Sequence, residues 1–269
     1  MPVDADRNYR QAALVLAAHG STMNADSSRP TREQAERIRA LGLFAEVQVC
    51  FWKELPYFRD VLAQVKADTV YIVPNFTSEG YFTRQVLPRE FGLSGPVSTV
   101  GGKTVYYAQP VGVHPHMTEA LLHCARQVVA GSDIDFKQSS LLLVGHGTSL
   151  NENSATVLRR QVERLRDRGI FAECEHALME QAPFIRDWQN LVRQRDVVVV
   201  PFFISDGLHS YEDIPVLLGI SRDVRAEGFS NPTLLSGRRL WYARAVGNDE
   251  KMTGVILAQV DACPAADGK

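Results

Sequence analysis

The sequence contains two copies of one unit, and this duplication constrains the fold more than any other feature. His19 and His146 lie 127 positions apart in similar settings, "LVLAAHGSTM" and "LLLVGHGTSL", and the same offset relates "GLFAE" to "GIFAE". Further along, "VYYAQPVG" matches "LWYARAVG". Self-similarity at a fixed offset indicates a repeated supersecondary unit. We therefore predict an N-terminal repeat over residues 1–132 and a C-terminal repeat over 139–269, joined near the polar stretch "GSDIDFKQSS".

Each repeat alternates apolar strand-like runs with helical spacing, the pattern of a parallel α/β sheet. The elements predicted in the second repeat are a strand at 141–144, a helix closed by Gly169, a strand in "FAECEHALM", a helix with Pro183 in its first turn, a strand in "DVVVVPFFI", a short helix at 214–220, a strand in "RRLWYARAV" and a helix from Met252. The continuous apolar runs are typical of strands that are covered on both faces. The sequence thus predicts two tandem α/β domains, each a small parallel sheet with helices on both faces.

Composition excludes several classes of function. The chain has 269 residues, a formal net charge of −2 and a pI near 6.4, which provides no basic surface for nucleic acid or an anionic membrane. Its four cysteines are far apart and lack a C-x-x-C motif, so we expect reduced thiols and a cytoplasmic protein. No stretch approaches the ~20 apolar residues of a membrane-spanning helix.

Three potential metal ligands follow predicted strands of the second repeat. His146 follows the first strand, Glu180 ends the second, and His209 comes shortly after the third. The carboxyl ends of parallel strands share one edge of the sheet, so these side chains should converge. Two imidazoles and a carboxylate suit a divalent first-row transition metal such as Fe²⁺, Co²⁺ or Ni²⁺. The glycines flanking His146 are expected to let a large flat ligand approach the backbone.

The first repeat lacks two of these three ligands. At the same offset, Lys53 replaces the glutamate and Phe82 replaces the second histidine, whereas His19 is kept. Neither a charged lysine nor a phenylalanine binds a metal ion. The first repeat is therefore predicted to keep the fold with a degenerate site, in which His19 has either a structural or a direct role.

Other polar residues leave alternatives open. His114 and His116 have a spacing seen in metal sites, but the start of a surface helix explains them as well, and the second repeat lacks both. Asp206, Glu212 and Asp213 flank the second histidine and could orient its ring, feed metal inward or simply begin a helix.

The second repeat resembles the sirohydrochlorin chelatases, the ATP-independent class II chelatases, which are related in fold to ferrochelatase. The resemblance lies in "LLLVGHGT", "ALMEQAPFI" and "VVVVPFFISDGLHSYEDIP", and the first repeat extends it over nearly the whole chain. It implies two fused chelatase-like domains and a lyase that inserts Co²⁺, Fe²⁺ or Ni²⁺ into a tetrapyrrole such as sirohydrochlorin, in cobalamin or siroheme biosynthesis. By this likeness, His146 and His209 bind the metal, and Glu180 supports metal delivery or proton removal.

The resemblance also implies partners and further site residues. The metal is a substrate, and no permanently bound cofactor is expected. Because the macrocycle carries carboxylates, arginines are expected to bind them, with Arg84 and Arg238, and more loosely Arg89 and Arg239, as candidates beside His19. The chain could be a monomer of two fused repeats or a homodimer.

A carrier that binds a tetrapyrrole or a metal without turnover is the alternative to an enzyme. A hydrolase is set aside, because "GHGTS" lacks the G-x-S-x-G elbow.

Overall fold

Each repeat contributes one five-stranded sheet to the computed structural model, which describes residues 9–148, 152–207, 209–220 and 230–264. The strands of the first sheet are β1 (Ala12–Ala18), β2 (Glu46–Phe51), β3 (Thr69–Pro74), β4 (Val97–Val100) and β5 (Lys103–Tyr107). The strands of the second are β6 (Ser139–Gly145), β7 (Glu173–Leu178), β8 (Asp196–Pro201), β9 (Thr233–Leu235) and β10 (Arg238–Tyr242). The strand orders are β2-β1-β3-β5-β4 and β7-β6-β8-β10-β9, so the two sheets have the same topology.

The described α-helices connect and flank these strands. They are α1 (Arg29–Leu41), α2 (Phe58–Gln64), α3 (Leu87–Phe91), α4 (Met117–Val128), α5 (Asn153–Asp167), α6 (Trp188–Leu191), α7 (Ile214–Leu218) and α8 (Met252–Asp261). A π-helical turn precedes both α3 and α7, at Phe82–Val86 and His209–Asp213. The prediction of two tandem α/β domains with helices around mostly parallel sheets is confirmed.

The edge strand of each mostly parallel sheet runs antiparallel to its neighbour. β4 pairs antiparallel with β5, and β9 pairs antiparallel with β10, whereas the other strand pairs are parallel. Both edge strands are short and connect to their neighbours through tight turns, at Gly101–Gly102 and at Ser236–Gly237, where φ is positive. An antiparallel pair needs only such a turn, whereas a parallel pair requires a long crossover.

The core of the second sheet explains its apolar sequence. Leu142 and Val144 of β6 are fully buried and pack with Trp188 and Ile214, which belong to α6 and α7. Alternate residues of the same strand point to the other face, where α5 contacts β6 and β7. Burial on both faces is the reason that these strands lack the alternation of polar and apolar residues.

The compact units do not coincide with the predicted repeats at 1–132 and 139–269. One unit comprises residues 1–116 with 250–269, and the other comprises residues 117–249. The units therefore differ from the repeats by an exchange of α4 and α8, the last helix of each repeat.

Matching hydrogen bonds hold the exchanged helices. Thr118 of α4 donates a buried hydrogen bond to Gln161 of α5, at 2.8 Å. Thr253 of α8 donates to Gln34 of α1 at 2.7 Å. The two pairs occupy equivalent positions in the repeats, so each sheet is completed by the helix that the other repeat encodes.

The prediction that Pro183 lies in the first turn of a helix is wrong. The Ala182–Pro183 peptide is cis, and the Pro183 carbonyl accepts a hydrogen bond from the Leu178 N–H at 2.8 Å. The helical turn begins only at Ile185. Pro56 has the same cis geometry and the same carbonyl hydrogen bond, to Phe51, in the first unit.

The four cysteines are free and buried. Within the described ranges, no helix is long and apolar enough to cross a membrane.

Candidate functional site

The three predicted ligands meet at the carboxyl edge of the second sheet. His146 directly follows β6, Glu180 lies two residues after β7, and His209 begins the π-helical turn that follows β8. β6 lies between β7 and β8, so the three loops are neighbours. The chain passes from β6 to β7 on one side and then to β8 on the other, and ligands of open α/β sheets bind at this kind of switch point.

The ring of His146 is oriented by its own loop. Its Nδ1 lies 2.7 Å from the carbonyl oxygen of Gly147. A carbonyl only accepts hydrogen bonds, so Nδ1 carries the proton and Nε2 carries the lone pair of the neutral ring. The carbonyl of His146 accepts hydrogen bonds from the backbone N–H groups of Met179 and Glu180, at 3.0 and 3.1 Å, and this joins the two loops.

The ring of His209 is oriented by a carboxylate. Its Nδ1 lies 2.6 Å from Oδ2 of Asp213, four residues later in the same turn. The Nδ1–H donates to this carboxylate, so Nε2 again carries the lone pair, as in metal-binding histidines that have a carboxylate partner. Of the three acidic residues near this histidine in the sequence, Asp213 therefore orients the ring.

The two imidazoles form an exposed pair with a carboxylate beside it. The ring centroids of His146 and His209 are 5.0 Å apart and the planes are inclined by 79°. Glu180 Oε2 lies 3.7 Å from Nδ1 of His146, on the hydrogen-bonded side of that ring. The side chains of His146, Glu180 and His209 are 41%, 54% and 47% exposed, respectively.

Among the residues that the structure describes, no three histidine, cysteine or acidic side chains are placed to hold one ion together. The structure thus places the His146 ring beside the His209 ring and Glu180 beside His146, at the carboxyl edge of the sheet.

The glycines beside His146 are required by the fold itself. Gly145 is buried, and a Cβ there would lie 3.1 Å from Leu158 Cδ2. Gly147 has a φ of +72°, and a Cβ there would lie 3.0 Å from Gln181 Cγ. Close packing and a left-handed turn therefore account for both positions.

The first unit keeps this geometry with different chemistry. His19 Nδ1 lies 2.9 Å from the Gly20 carbonyl, and its ring centroid is 5.1 Å from that of Phe82. Phe82 in turn contacts Trp52 and Phe76, with centroids 6.0 Å away in each case. An aromatic cluster occupies the place of the second imidazole.

Arg238 and Arg239, which were predicted to bind substrate carboxylates, lie away from the histidine pair. Both lie at the start of β10, where Arg239 is paired in register with Asp196 at the start of β8. This is the amino edge of the sheet, opposite the histidine pair. Arg238 donates to the Gln189 carbonyl at 3.0 Å, and Arg239 pairs with Asp196 at 2.6 Å.

The remaining candidates lie in the first unit. Arg84 forms an ion pair with Glu79, and Arg89 forms one with Glu90. The rings of His114 and His116 are 4.8 Å apart, and the His116 N–H donates to His114 Nδ1 at 3.1 Å, as in a local turn.

Comparison with known proteins identifies the family. The CbiX family model matches residues 13–128 and again residues 140–263, one match for each repeat. A Halobacterium salinarum protein named probable sirohydrochlorin cobaltochelatase is 39% identical over 264 residues, covering 91% of this chain and 89% of that protein.

Solved structures show the same fold. A multi-domain Deinococcus radiodurans protein with structural similarity to chelatases superposes with a TM-score of 0.81 at 32% identity over 96% of this chain, which spans 56% of that protein's length. CbiX, described as the terminal enzyme of siroheme biosynthesis in denitrifying bacteria, superposes with a TM-score of 0.71 at 21% identity, over 94% of this chain and 100% of that one. The chain therefore belongs to the CbiX family.

Proposed function

We propose that this protein is a chelatase that inserts a divalent transition metal ion into a tetrapyrrole of the sirohydrochlorin type. The observation that carries the proposal is the exposed pair of imidazoles, His146 and His209, each with Nδ1 hydrogen-bonded and Nε2 bearing the lone pair. The Halobacterium relative, which matches nearly the whole chain, is named for the same class of reaction.

An open pair of histidines suits a metal that must be passed on. Structural metal sites are closed by four protein ligands, whereas sites that exchange a ligand or substrate keep open positions. Two neutral imidazoles at a half-exposed rim replace part of the ion's water shell and leave the rest for the incoming pyrrole nitrogens. Nitrogen donors of this kind bind Fe²⁺, Co²⁺ and Ni²⁺ with moderate strength.

Metal insertion also requires the removal of protons. The macrocycle loses two pyrrole N–H protons when one M²⁺ enters, so net charge is conserved when both protons leave. Glu180 lies beside His146 at 3.7 Å and is exposed, which suits a carboxylate that accepts these protons and passes them to water. We assign proton removal to Glu180 and metal binding chiefly to the two histidines.

The activity belongs to the second unit. The equivalent positions of the first unit hold His19, Lys53 and Phe82, and Lys53 Nζ lies 6.0 Å from the centroid of the Trp52 ring. An ammonium group and a phenyl ring supply no ligand.

The proposal is tested by mixing catalytic amounts of the purified protein with metal-free sirohydrochlorin and Co²⁺, Fe²⁺ or Ni²⁺ in turn, and following the absorption spectrum of the macrocycle. We expect many turnovers per protein molecule with at least one ion, and loss of turnover in His146→Ala. Spectral change limited to one equivalent of protein would instead identify a carrier, and no change with any ion would overturn the proposal.

A further inference from the structure

A buried carboxylate in the second unit is not explained by the metal site. Asp206 follows β8, and its side chain is only 1% exposed. One oxygen accepts the Ala245 N–H at 2.7 Å, and the other accepts Nε–H of Arg244 at 2.9 Å. Arg244 follows β10 and is 59% exposed, so a buried anion holds an arginine that faces solvent.

The backbone that carries Arg244 is fixed against the loop after β8. The Gly247 N–H donates to the Phe203 carbonyl at 2.9 Å, and a Cβ at Gly247 would lie 1.8 Å from the Ile204 carbonyl oxygen. The guanidinium also donates to Asn248 Oδ1 at 3.0 Å. Arg244 is thus placed by the backbone, by Asp206 and by Asn248, which reduces the conformational entropy lost when it binds a ligand.

The first unit shows that the same segment can be built without a buried carboxylate. Gln109 stands at the place of Arg244, and Pro110, which has no N–H, stands at the place of Ala245. Glu79 replaces Asp206 and forms an ion pair with Arg84 instead. The glycine contact is kept, since the Gly112 N–H donates to the Phe76 carbonyl at 3.0 Å. Of these two equivalent described segments, the one with the buried carboxylate and its arginine belongs to the unit that has the histidine pair.

Arg244 also lies on the same edge as the metal site. β10 is adjacent to β8, which is adjacent to β6, so Arg244 and His146 follow strands that are two positions apart. Two strand spacings amount to roughly 10 Å. This separation is comparable to the distance between the central nitrogens of a tetrapyrrole and the carboxylates on its rim.

We propose that Arg244 binds a peripheral carboxylate of the tetrapyrrole and that Asp206 is its positioning residue. The proposal rests on the chelatase function proposed above and adds a residue that fixes the macrocycle relative to the histidine pair. A guanidinium binds a carboxylate through two parallel hydrogen bonds, and its planar fork gives this contact a defined direction.

The test compares Arg244→Gln, which introduces the residue of the first unit, with Arg244→Lys, Asp206→Asn and the matched control Arg238→Gln at the opposite edge. For Arg244→Gln we expect the KM for sirohydrochlorin to rise about fivefold to tenfold, as for loss of one partly exposed bidentate ion pair, with kcat within about twofold. The KM for the metal ion should not change. Arg244→Lys keeps the charge but loses the fork, so it should show a smaller rise, and Arg238→Gln none.

A second measurement separates this inference from the proposed function. Binding of metal-free sirohydrochlorin, followed by quenching of its fluorescence, needs no turnover, and Arg244→Gln should weaken it by the same factor. Asp206→Asn should weaken it too. When Arg244→Gln is already present, however, adding Asp206→Asn should cause no further weakening. Unchanged tetrapyrrole binding in Arg244→Gln, or equal weakening in Arg238→Gln, would overturn the inference even where the wild type is an active chelatase.

Discussion

Replacing His209 by phenylalanine should abolish metal insertion while leaving the fold intact. The first unit already contains this substitution, because Phe82 stands at the equivalent position. Its ring centroid lies 5.1 Å from that of His19, compared with 5.0 Å between the two histidines of the second unit. A phenyl ring therefore fits next to a histidine at the equivalent point of the same fold.

The structure sets the size of both effects. The hydrogen bond lost on substitution joins His209 and Asp213, whose side chains are 47% and 50% exposed, so it contributes at most about 1 kcal/mol to stability. That loss lowers Tm by no more than roughly 4 °C in a chain of this size. Turnover should fall by at least ~100-fold, the lower range for loss of an essential catalytic group.

The assay combines initial rates of metal insertion with calorimetric unfolding of the same preparation. The control is Phe82→Tyr, which alters the equivalent ring of the first unit and should keep the wild-type rate within about threefold, well short of the loss of a catalytic group. If His209→Phe retained a rate within about threefold of the wild type, the second imidazole would not be a metal ligand, and our reasoning from the paired rings would be refuted.

Three further outcomes follow from other parts of the molecule. Asp213→Asn should lower turnover about tenfold by loosening the histidine that this carboxylate orients, and an unchanged rate would contradict that role. Gly247→Ala should lower the free energy of unfolding by about 3 kcal/mol in urea titrations, because its Cβ would lie 1.8 Å from a carbonyl oxygen. Gly254→Ala, in a helix with no atom within 4 Å of its Cβ, is the control and should raise it by up to about 1 kcal/mol. Burial raises the pKa of Tyr107 and Tyr242, so the folded state keeps both phenols neutral. Their contribution to stability is complete below about pH 10, where unfolded tyrosine ionises, and is lost as the pH rises further. Denaturant midpoints at about pH 9 and pH 11 measure this loss, and it should shrink when both tyrosines are replaced by phenylalanine.

The duplication made the site predictable, because each residue of the second repeat can be compared with the equivalent residue of the first repeat, which has the same fold. His146 and His209 were placed on one edge by the rule that parallel strands end together, and the structure places their rings side by side. The same comparison exposed Lys53 and Phe82 as substitutions that remove metal ligands. The comparison also aligned Arg244 with Gln109. An arginine is usually a surface residue, however, and only the structure shows that Arg244 has the buried partner Asp206.

Other features could not be predicted, because a local sequence pattern does not specify which distant part of the chain a segment contacts. An arginine-rich strand such as "RRLWYARAV" fixes neither where the strand begins nor which edge of the sheet its first residues occupy, so the sequence did not show that Arg238 lies at the amino edge. The sequence shows that α4 and α8 are rich in apolar residues and must be buried, but it does not specify which sheet each helix covers. The proline at 183 is compatible with a helix start by its φ alone, whereas the hydrogen bond from Leu178 to its carbonyl is a tertiary contact.

The exchange of α4 and α8 makes each repeat depend on the other for a helix, although the first repeat keeps only one of the three predicted metal ligands. Cleaving the chain near residue 135 would separate each sheet from a helix that packs into the core of that sheet's unit. In α4, for example, Met117 and Leu121 are fully buried. We therefore expect that neither half folds on its own, because deletion of the first repeat would remove α4, which belongs to the compact unit that holds the histidine pair. Mutations can remove metal ligands from the first repeat, but selection for the stability of the second repeat should preserve the fold of the first.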